Sequence, residues 1–303
     1  MKIVITGANG AVGQAILRSG SRTTGVQFAA AVRSERAAEQ VRSQAGNADD
    51  VVQISYDDPA SLDAAFHGAS AVIHLAGVLI ESRDSSYEKS NVASTRSVVE
   101  AARRNAVQKI VLVSATGADE TSSNRFYRTK GEAEALVRKS GLNFTILRAP
   151  LLLGPGTAGA AALARNVSEP KARLIGGGRN VQQPLHVNNL ADAAIFAAAN
   201  PSLAKSLTLD LVGPVSLPER ELVERAARLL GRQVRIGSIP KAFLSMMLAI
   251  REFTGSKGFS RDALEVITAE TRLDPLPAAK ALGIELTGID ETIRDSVGLR
   301  KMK

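Results

Sequence analysis

Between Lys2 and Arg18 the chain reads as a strand, a glycine-rich turn and the start of a helix. Lys2-Ile3-Val4-Ile5 is a short apolar run, Thr6-Gly7-Ala8-Asn9-Gly10-Ala11-Val12-Gly13 follows it, and Gln14-Ala15-Ile16-Leu17-Arg18 has helical character. Few folds place these three pieces in this order. The first glycine permits a tight turn, the middle one lets backbone approach a phosphate, and the last lets the helix pack on the sheet. The helix N-terminus then offers N–H groups and a positive dipole end to an anion. Gly7, Asn9, Gly10, Ala11, Val12 and Gly13 are therefore the residues expected to hold a dinucleotide pyrophosphate.

A second signal lies twenty residues past Gly13, where Phe28-Ala29-Ala30-Ala31-Val32 ends in Arg33. A second strand ending there would meet the adenosine ribose. A carboxylate at that point accepts bonds from the 2′-OH of NAD, whereas an arginine can pair with a 2′-phosphate. Arg33, with Arg36 nearby, favours NADP(H) as cofactor, while Glu35 keeps NAD(H) open.

Strand-like segments, rich in branched residues, alternate with helical ones through the first half. The strands are Ile3–Thr6, Gln27–Val32, Val51–Ser55, Ala71–Leu75, Lys109–Ser114 and Asn143–Leu147. The helices are Ala11–Gly20, Arg36–Ala45, Ser61–His67, Ser86–Asn105 and Tyr127–Ser140. Such alternation with short connections predicts an α/β fold with a doubly wound parallel sheet covered on both faces. After Leu147 the pattern loosens. His186–Ala199 reads as a strand end plus a helix, and Ser206–Leu211 as one more strand. Residues 1–160, with 186–212 returning to them, are expected to form the dinucleotide-binding domain. Residues 161–185 and 213–303 are expected to form a smaller, mostly helical C-terminal lobe over the strand ends.

Composition excludes several functions. The 303 residues include no cysteine, so disulfides and thiolate metal sites are out. His67, His74 and His186 lie far apart with no ligand partner at i+3 or i+4, and no metal is expected. The net charge is +8, but Lys and Arg are interleaved with Asp and Glu, and aromatic residues are only 4%, which leaves few stacking platforms for bases. Nucleic acid is not an expected partner. Met1-Lys2 leads straight into the first strand, and a cytoplasmic protein is expected. The most apolar segment is Ala242–Ile250, flanked by Lys241 and Arg251. It reads first as a core or substrate-pocket helix. A membrane or protein-partner surface around Met246-Met247 is the alternative. The tail Arg300-Lys301-Met302-Lys303 is expected to fray.

These residues together resemble the short-chain dehydrogenase/reductase superfamily in its extended or atypical branch, whose core is a Rossmann sheet. The resemblance rests on Thr6-Gly7-x-x-Gly10-x-x-Gly13, on Ile73-His74-Leu75-Ala76-Gly77 and on Asn91-Val92-Ala93-Ser94-Thr95. It continues in Leu112-Val113-Ser114-Ala115-Thr116, in Phe144–Pro150 and in His186–Ala193. Asp57–Leu62 is similar to the NmrA-like reductases and sensors. Arg128-Thr129-Lys130 and Leu282-Gly283-Ile284 are similar to the NADPH-binding accessory subunit of respiratory complex I. The resemblance implies cofactor contacts at Leu75, Ala76, Gly77, Ser114, Lys130 and Pro150. It also implies one at Ser55, where the family usually has Asp facing adenine.

The same resemblance implies a catalytic pair, Tyr-x-x-x-Lys, and here the chain departs from it. The sequence reads Phe126-Tyr127-Arg128-Thr129-Lys130, so Phe126 stands at the tyrosine position. In the family the tyrosine moves the proton, the lysine binds the nicotinamide ribose and lowers the tyrosine pKa, and a Ser or Thr orients the carbonyl. Thr116 or Ser114 could supply that hydroxyl. Tyr127 shares a helix face with Lys130 and could replace the missing acid, or simply pack. Arg148 is expected to be an ion-pair partner, and His186 to position the returning loop. Three functions stay open: an NADP(H)-dependent oxidoreductase on a small carbonyl or quinone, an NAD(P)-dependent sugar-nucleotide epimerase or dehydratase, and a non-catalytic NADPH-binding sensor or assembly subunit. No motif names a substrate, and none fixes an oligomeric state.

Overall fold

A computed structural model describes residues 1–20, 24–44, 50–200, 203, 206–253 and 257–299. The Arg300–Lys303 tail and Ala45 lie outside this set. The strands β1 (Lys2–Thr6), β2 (Gln27–Val32), β3 (Asp50–Gln53), β4 (Ala71–His74), β5 (Lys109–Ala115), β6 (Asn143–Ala149) and β11 (Ser206–Asp210) form one sheet. Their order is β11-β6-β5-β4-β1-β2-β3, and every neighbouring pair is parallel. The chain thus builds outward in both directions from β1, and the order switches between β1 and β4. In open α/β sheets the crevice for a ligand lies at the carboxyl ends of the strands at that switch.

Alternation along each strand sorts the core into two layers. Ile3, Ile5, Ala30, Val32, Ile73 and Val111 face α1 (Ala11–Gly20), α2 (Glu35–Gln44) and α7 (Val187–Ala199). Val4, Ala29, Ala31, Val72, Ile110 and Leu112 face α3 (Pro59–Phe66), α4 (Ser94–Arg104) and α5 (Arg125–Arg138). These strands are buried on both sides, which is why they read as unbroken apolar runs.

A third cluster joins Leu153, Leu163, Leu174, Leu222, Ala226 and Ile293. It gathers β7 (Leu152–Leu153), α6 (Ala158–Ser168), β8 (Lys171–Ile175), α8 (Glu219–Leu229) and α12 (Ile289–Ser296). Three two-stranded ribbons complete this lobe: β10 (Leu185–His186) with β7, β12 (Leu217–Pro218) with β9 (Val181–Gln182), and β13 (Arg235–Ile239) with β8. α9 (Lys241–Phe253) packs on α10 (Arg261–Thr268), α10 also packs on α5, and α11 (Leu276–Ala281) places Ala278 in the layer of α1 and α7.

Two helices differ from the sequence expectation in ways that matter to the site. The stretch Ser86–Asn105 is not one regular helix. It opens with wide π-type turns over Glu88–Ala93 before α4 begins. Such turns shift the register of side chains and concentrate at functional sites. α5 begins at Arg125 rather than Tyr127, because the Asn124 side chain accepts hydrogen bonds from the N–H groups of Phe126 and Tyr127.

Candidate functional site

The glycine turn closes as its sequence requires. Gly7 has φ +75°, and a Cβ there would lie 3.2 Å from the Ala76 nitrogen, so the ends of β1 and β4 meet across it. A Cβ on Gly13 would sit 2.4 Å from the Ala8 carbonyl oxygen, so α1 presses directly on the turn. The Gly10 N–H donates to Gly7 O (3.1 Å), and the Gln14 amide donates to Asn9 O (3.1 Å). Ala11, Val12 and Gly13 form the first turn of α1, with their N–H groups at its anion-binding end.

A cavity of about 370 Å³ runs from this turn along the strand ends. Of the residues expected to touch a cofactor, Gly7, Asn9, Gly10, Arg33, Ser55, Leu75, Ala76 and Gly77 line it. Ala11, Val12, Gly13, Ser114, Lys130 and Pro150 do not line this cavity, and neither do Thr116 and Tyr127. Sequence reasoning missed Val32, Ile54 and Tyr56, which with Arg33 wall the far end, and Lys89 on the wide turn. Tyr56 directly follows Ser55 at a strand end, a position that could have flagged it. Ser55 Oγ accepts from the Asp57 N–H (3.3 Å), and the Asp57 carboxylate pairs with Lys89 at 3.3 Å across the cavity rim. The turn and this cavity fit the adenosine and phosphate end of a dinucleotide: a phosphate seat at the glycines, and an apolar-walled base pocket with an exposed arginine beside Ile54 and Tyr56.

Beneath the cavity runs a buried hydrogen-bond string. Thr6 Oγ1 lies 2.6 Å from His74 Nδ1, and His74 Nε2 lies 3.1 Å from Thr95 Oγ1. The Thr95 hydroxyl gives its proton to Asn91 O (2.6 Å). Thr95 must therefore accept from the imidazole, which places the ring proton on Nε2 and makes Thr6 the donor to Nδ1. The Asn91 side chain accepts from the Val78 N–H (3.2 Å) and donates to Thr129 Oγ1 (3.0 Å), which ties the wide turn to α5. Burial, followed by the Lys130 charge, lowers the His74 pKa to about 3. The native ring thus stays neutral where an unfolded one, at about 6.5, takes a proton. Stability should then fall as pH drops below about 6.5, by up to about 1.4 kcal/mol per unit. Urea unfolding between pH 6.5 and 5 should show this slope, and His74→Gln should flatten it.

Around the carboxyl end of β5 stand the groups implied by the family pattern. Lys130 is buried, and its Nζ donates to Val113 O (2.8 Å). That Nζ lies 3.6 Å from where a Cβ on Gly77 would stand. Burial lowers the Lys130 pKa to about 8, partly offset by Glu134. The Ser114 hydroxyl is buried without a hydrogen-bond partner. Thr116 is half-buried, its N–H held by Ala149 O (3.1 Å).

Phe126 is buried edge-on between Tyr87 (5.9 Å) and Tyr127 (5.7 Å). The Tyr127 ring lies on Gly117, where an added Cβ would approach it to 3.0 Å, so the phenol rests on the turn that follows Thr116. Burial, then the charge of Glu265, raises the Tyr127 pKa. α10 braces this region: the Asn124 amide donates to Asp262 O and Glu265 Oε2, and the Arg125 N–H donates to Asp262 Oδ1. Arg148 is structural, binding buried Glu134 through two nitrogens (2.8 and 2.7 Å) and donating to Ala118 O (3.0 Å). His186 caps α7 through Nδ1.

Comparison with known proteins agrees with this geometry. Residues 7–174 match the NAD(P)H-binding family. The chain is 31% identical over 263 residues to a 2-alkyl-3-oxoalkanoate reductase of Stenotrophomonas maltophilia, covering 76% of each. It is 27% identical over 240 residues to the mitochondrial NADH dehydrogenase [ubiquinone] 1 alpha subcomplex subunit 9 of Arabidopsis thaliana, covering 75% of this chain but only 60% of that one. Among solved structures, a UDP-glucose-4-epimerase from Stenotrophomonas maltophila with bound NAD superposes with a TM-score of 0.77 at 20% identity, over 99% of this chain and 97% of that one. At that identity the likeness is one of fold. The glycine turn, the switch-point cavity and the matched residues agree, and the chain belongs to the NAD(P)H-binding family within the extended short-chain dehydrogenases/reductases.

Proposed function

We propose that this protein is an NADP(H)-dependent oxidoreductase that reduces a small carbonyl or quinone, with Tyr127 in place of the family's tyrosine as proton donor. The observation that carries this reading is that three groups stand around the carboxyl end of β5: buried Lys130 beside Gly77, Thr116 just past the strand, and the Tyr127 phenol on Gly117. Bound NADPH supplies a hydride. Lys130 holds positive charge at neutral pH, Thr116 or Ser114 orients the carbonyl oxygen, and Tyr127, kept protonated by its raised pKa, gives the proton. Relatives named as reductases support the reaction class, including the oxoalkanoate reductase and a ceramide reductase of Caulobacter vibrioides at 25% identity.

Phe126 favours a second reading, in which the chain holds NADPH without turning it over. It also weakens the epimerase reading, since the resemblance assigns those reactions to the tyrosine that Phe126 replaces. NADPH oxidation followed against a panel of 3-oxoacyl compounds, aldehydes and quinones separates these functions. Turnover on one class is expected. Tight NADPH binding with no turnover on any would leave the holding role.

The preference for NADP(H) rests on Arg33. It is exposed at the end of β2 and lines the cavity. Glu35, the carboxylate that could bond a ribose 2′-OH, is paired with Arg42 at 2.6 Å. Arg33→Ala should weaken NADPH binding by about tenfold to a hundredfold, the worth of one charge-assisted hydrogen bond to phosphate, and leave NADH unchanged. Calorimetric titration of both cofactors reads this directly. Equal affinities in the unsubstituted protein would remove the preference.

A further inference from the structure

α9 is turned inside out. A soluble helix normally faces its apolar side inward. In α9 the buried residue is Leu248, with Leu244, Ser245 and Glu252 beside it at half-buried positions. The opposite sector carries Phe243, Met246, Met247, Ile250 and Phe253, exposed by 53, 56, 51, 63 and 94%. At 100° per residue these five share one side with Ala242, and no polar residue interrupts them. This places the apolar face of Ala242–Ile250 outward, which corrects its first reading as a core or substrate-pocket helix. The periodicity was that of an amphipathic helix, but which side meets the protein is decided by α10, against which α9 packs. A contiguous exposed apolar row of this kind marks a surface that something covers.

The charge around it identifies the cover. Residues 232–261 contain Arg232, Arg235, Lys241, Arg251, Lys257 and Arg261 against one acid, Glu252. Glu252 is itself engaged, accepting from the Arg261 backbone and guanidinium at 2.7 Å. A second copy would bring the same basic residues face to face, which opposes self-association through this side. A bilayer with anionic headgroups offers acyl chains to the apolar row and negative charge to its basic flanks.

We infer that α9 docks this protein onto an anionic membrane surface, lying in the plane of the headgroups. No described helix is long and apolar enough to cross a membrane, so the contact is peripheral. The docking stands whether or not the cofactor site turns over a substrate. Its orientation has a consequence for that site, because the Glu252–Arg261 pair ties α9 to α10, and α10 braces the first turn of α5 beside Phe126 and Tyr127.

Co-sedimentation of the full chain with vesicles tests this. The protein should pellet with vesicles of mixed phosphatidylglycerol and phosphatidylcholine, much less with phosphatidylcholine alone, and less as salt is raised. The double variant Phe243→Ser/Ile250→Ser should lose tenfold or more in vesicle affinity, since each side chain withdraws apolar area from the interface. Both residues are exposed, so its melting temperature and NADPH affinity should match those of the unsubstituted protein. Lys241→Glu/Lys257→Glu should weaken binding to anionic vesicles only. Absence of binding to anionic vesicles, or equal binding by the serine variant, overturns the inference. So does a dimer by light scattering that the serine variant dissociates while vesicles go unbound, which would assign the face to a second copy.

Discussion

Tyr127→Phe should lower turnover by about a hundred- to ten-thousandfold while NADPH affinity stays near its unsubstituted value. That span corresponds to about 3–5 kcal/mol of transition-state stabilisation, the usual worth of a positioned general acid. The ring is held by Gly117 and by Phe126, and both contacts survive removal of one oxygen, so the fold should tolerate the change. Steady-state kinetics on the best substrate from the carbonyl and quinone panel, with a cofactor titration alongside, reads both quantities. The sign of the pH dependence follows from the raised Tyr127 pKa. The phenol keeps its proton through the neutral range, so a reduction that takes that proton should not lose rate from phenolate formation until strongly alkaline pH. Unchanged turnover in Tyr127→Phe would return the residue to a packing role.

Glu134→Ala should destabilise the scaffold beneath the site. Glu134 is fully buried, and its carboxylate accepts from Arg148 and Arg138. Removing one partner of a buried pair costs about 3–5 kcal/mol, because the remaining charge stays desolvated. Both arginine side chains keep partial contact with water, at 23% and 39% exposure, so the low end, about 3 kcal/mol, is expected. For a chain of 303 residues that is a fall in Tm of roughly 5 °C. Glu134→Gln keeps the volume and one acceptor and should lose less. Arg148 also holds the Ala118 carbonyl, just past the Thr116–Gly117 turn on which Tyr127 rests. Turnover in Glu134→Ala should therefore fall further than the loss of folded protein accounts for.

The sheet was legible because its strands are buried on both faces and bounded by helices of ordinary length. Gln27–Val32 and Ala11–Gly20 fall at their expected bounds. The wide turns at Glu88–Ala93 were not legible, since Val92 and Ala93 are the apolar residues there and two neighbours show no period. The start of α5 was misplaced by two residues because the cap, Asn124, precedes a charged residue rather than an apolar one. The two-residue ribbons β7–β10 and β9–β12 are too short to carry a period. At the site, the glycines and Arg33 could be read because backbone geometry and phosphate charge restrict residue type. Asn91 and Tyr56 serve by position, and position came only from the wide turn and from the neighbouring strand ends.

The string from Thr6 through His74 and Thr95 to Asn91 runs one way. Each hydroxyl and the imidazole in it has already committed its single proton in one direction, ending on a backbone carbonyl. A chain so saturated is a girder and not a wire. It can brace the end of β1 against the wide turn, and its last proton is spent on the Asn91 carbonyl. A backbone carbonyl passes no proton on, so the string leads none away from the cavity.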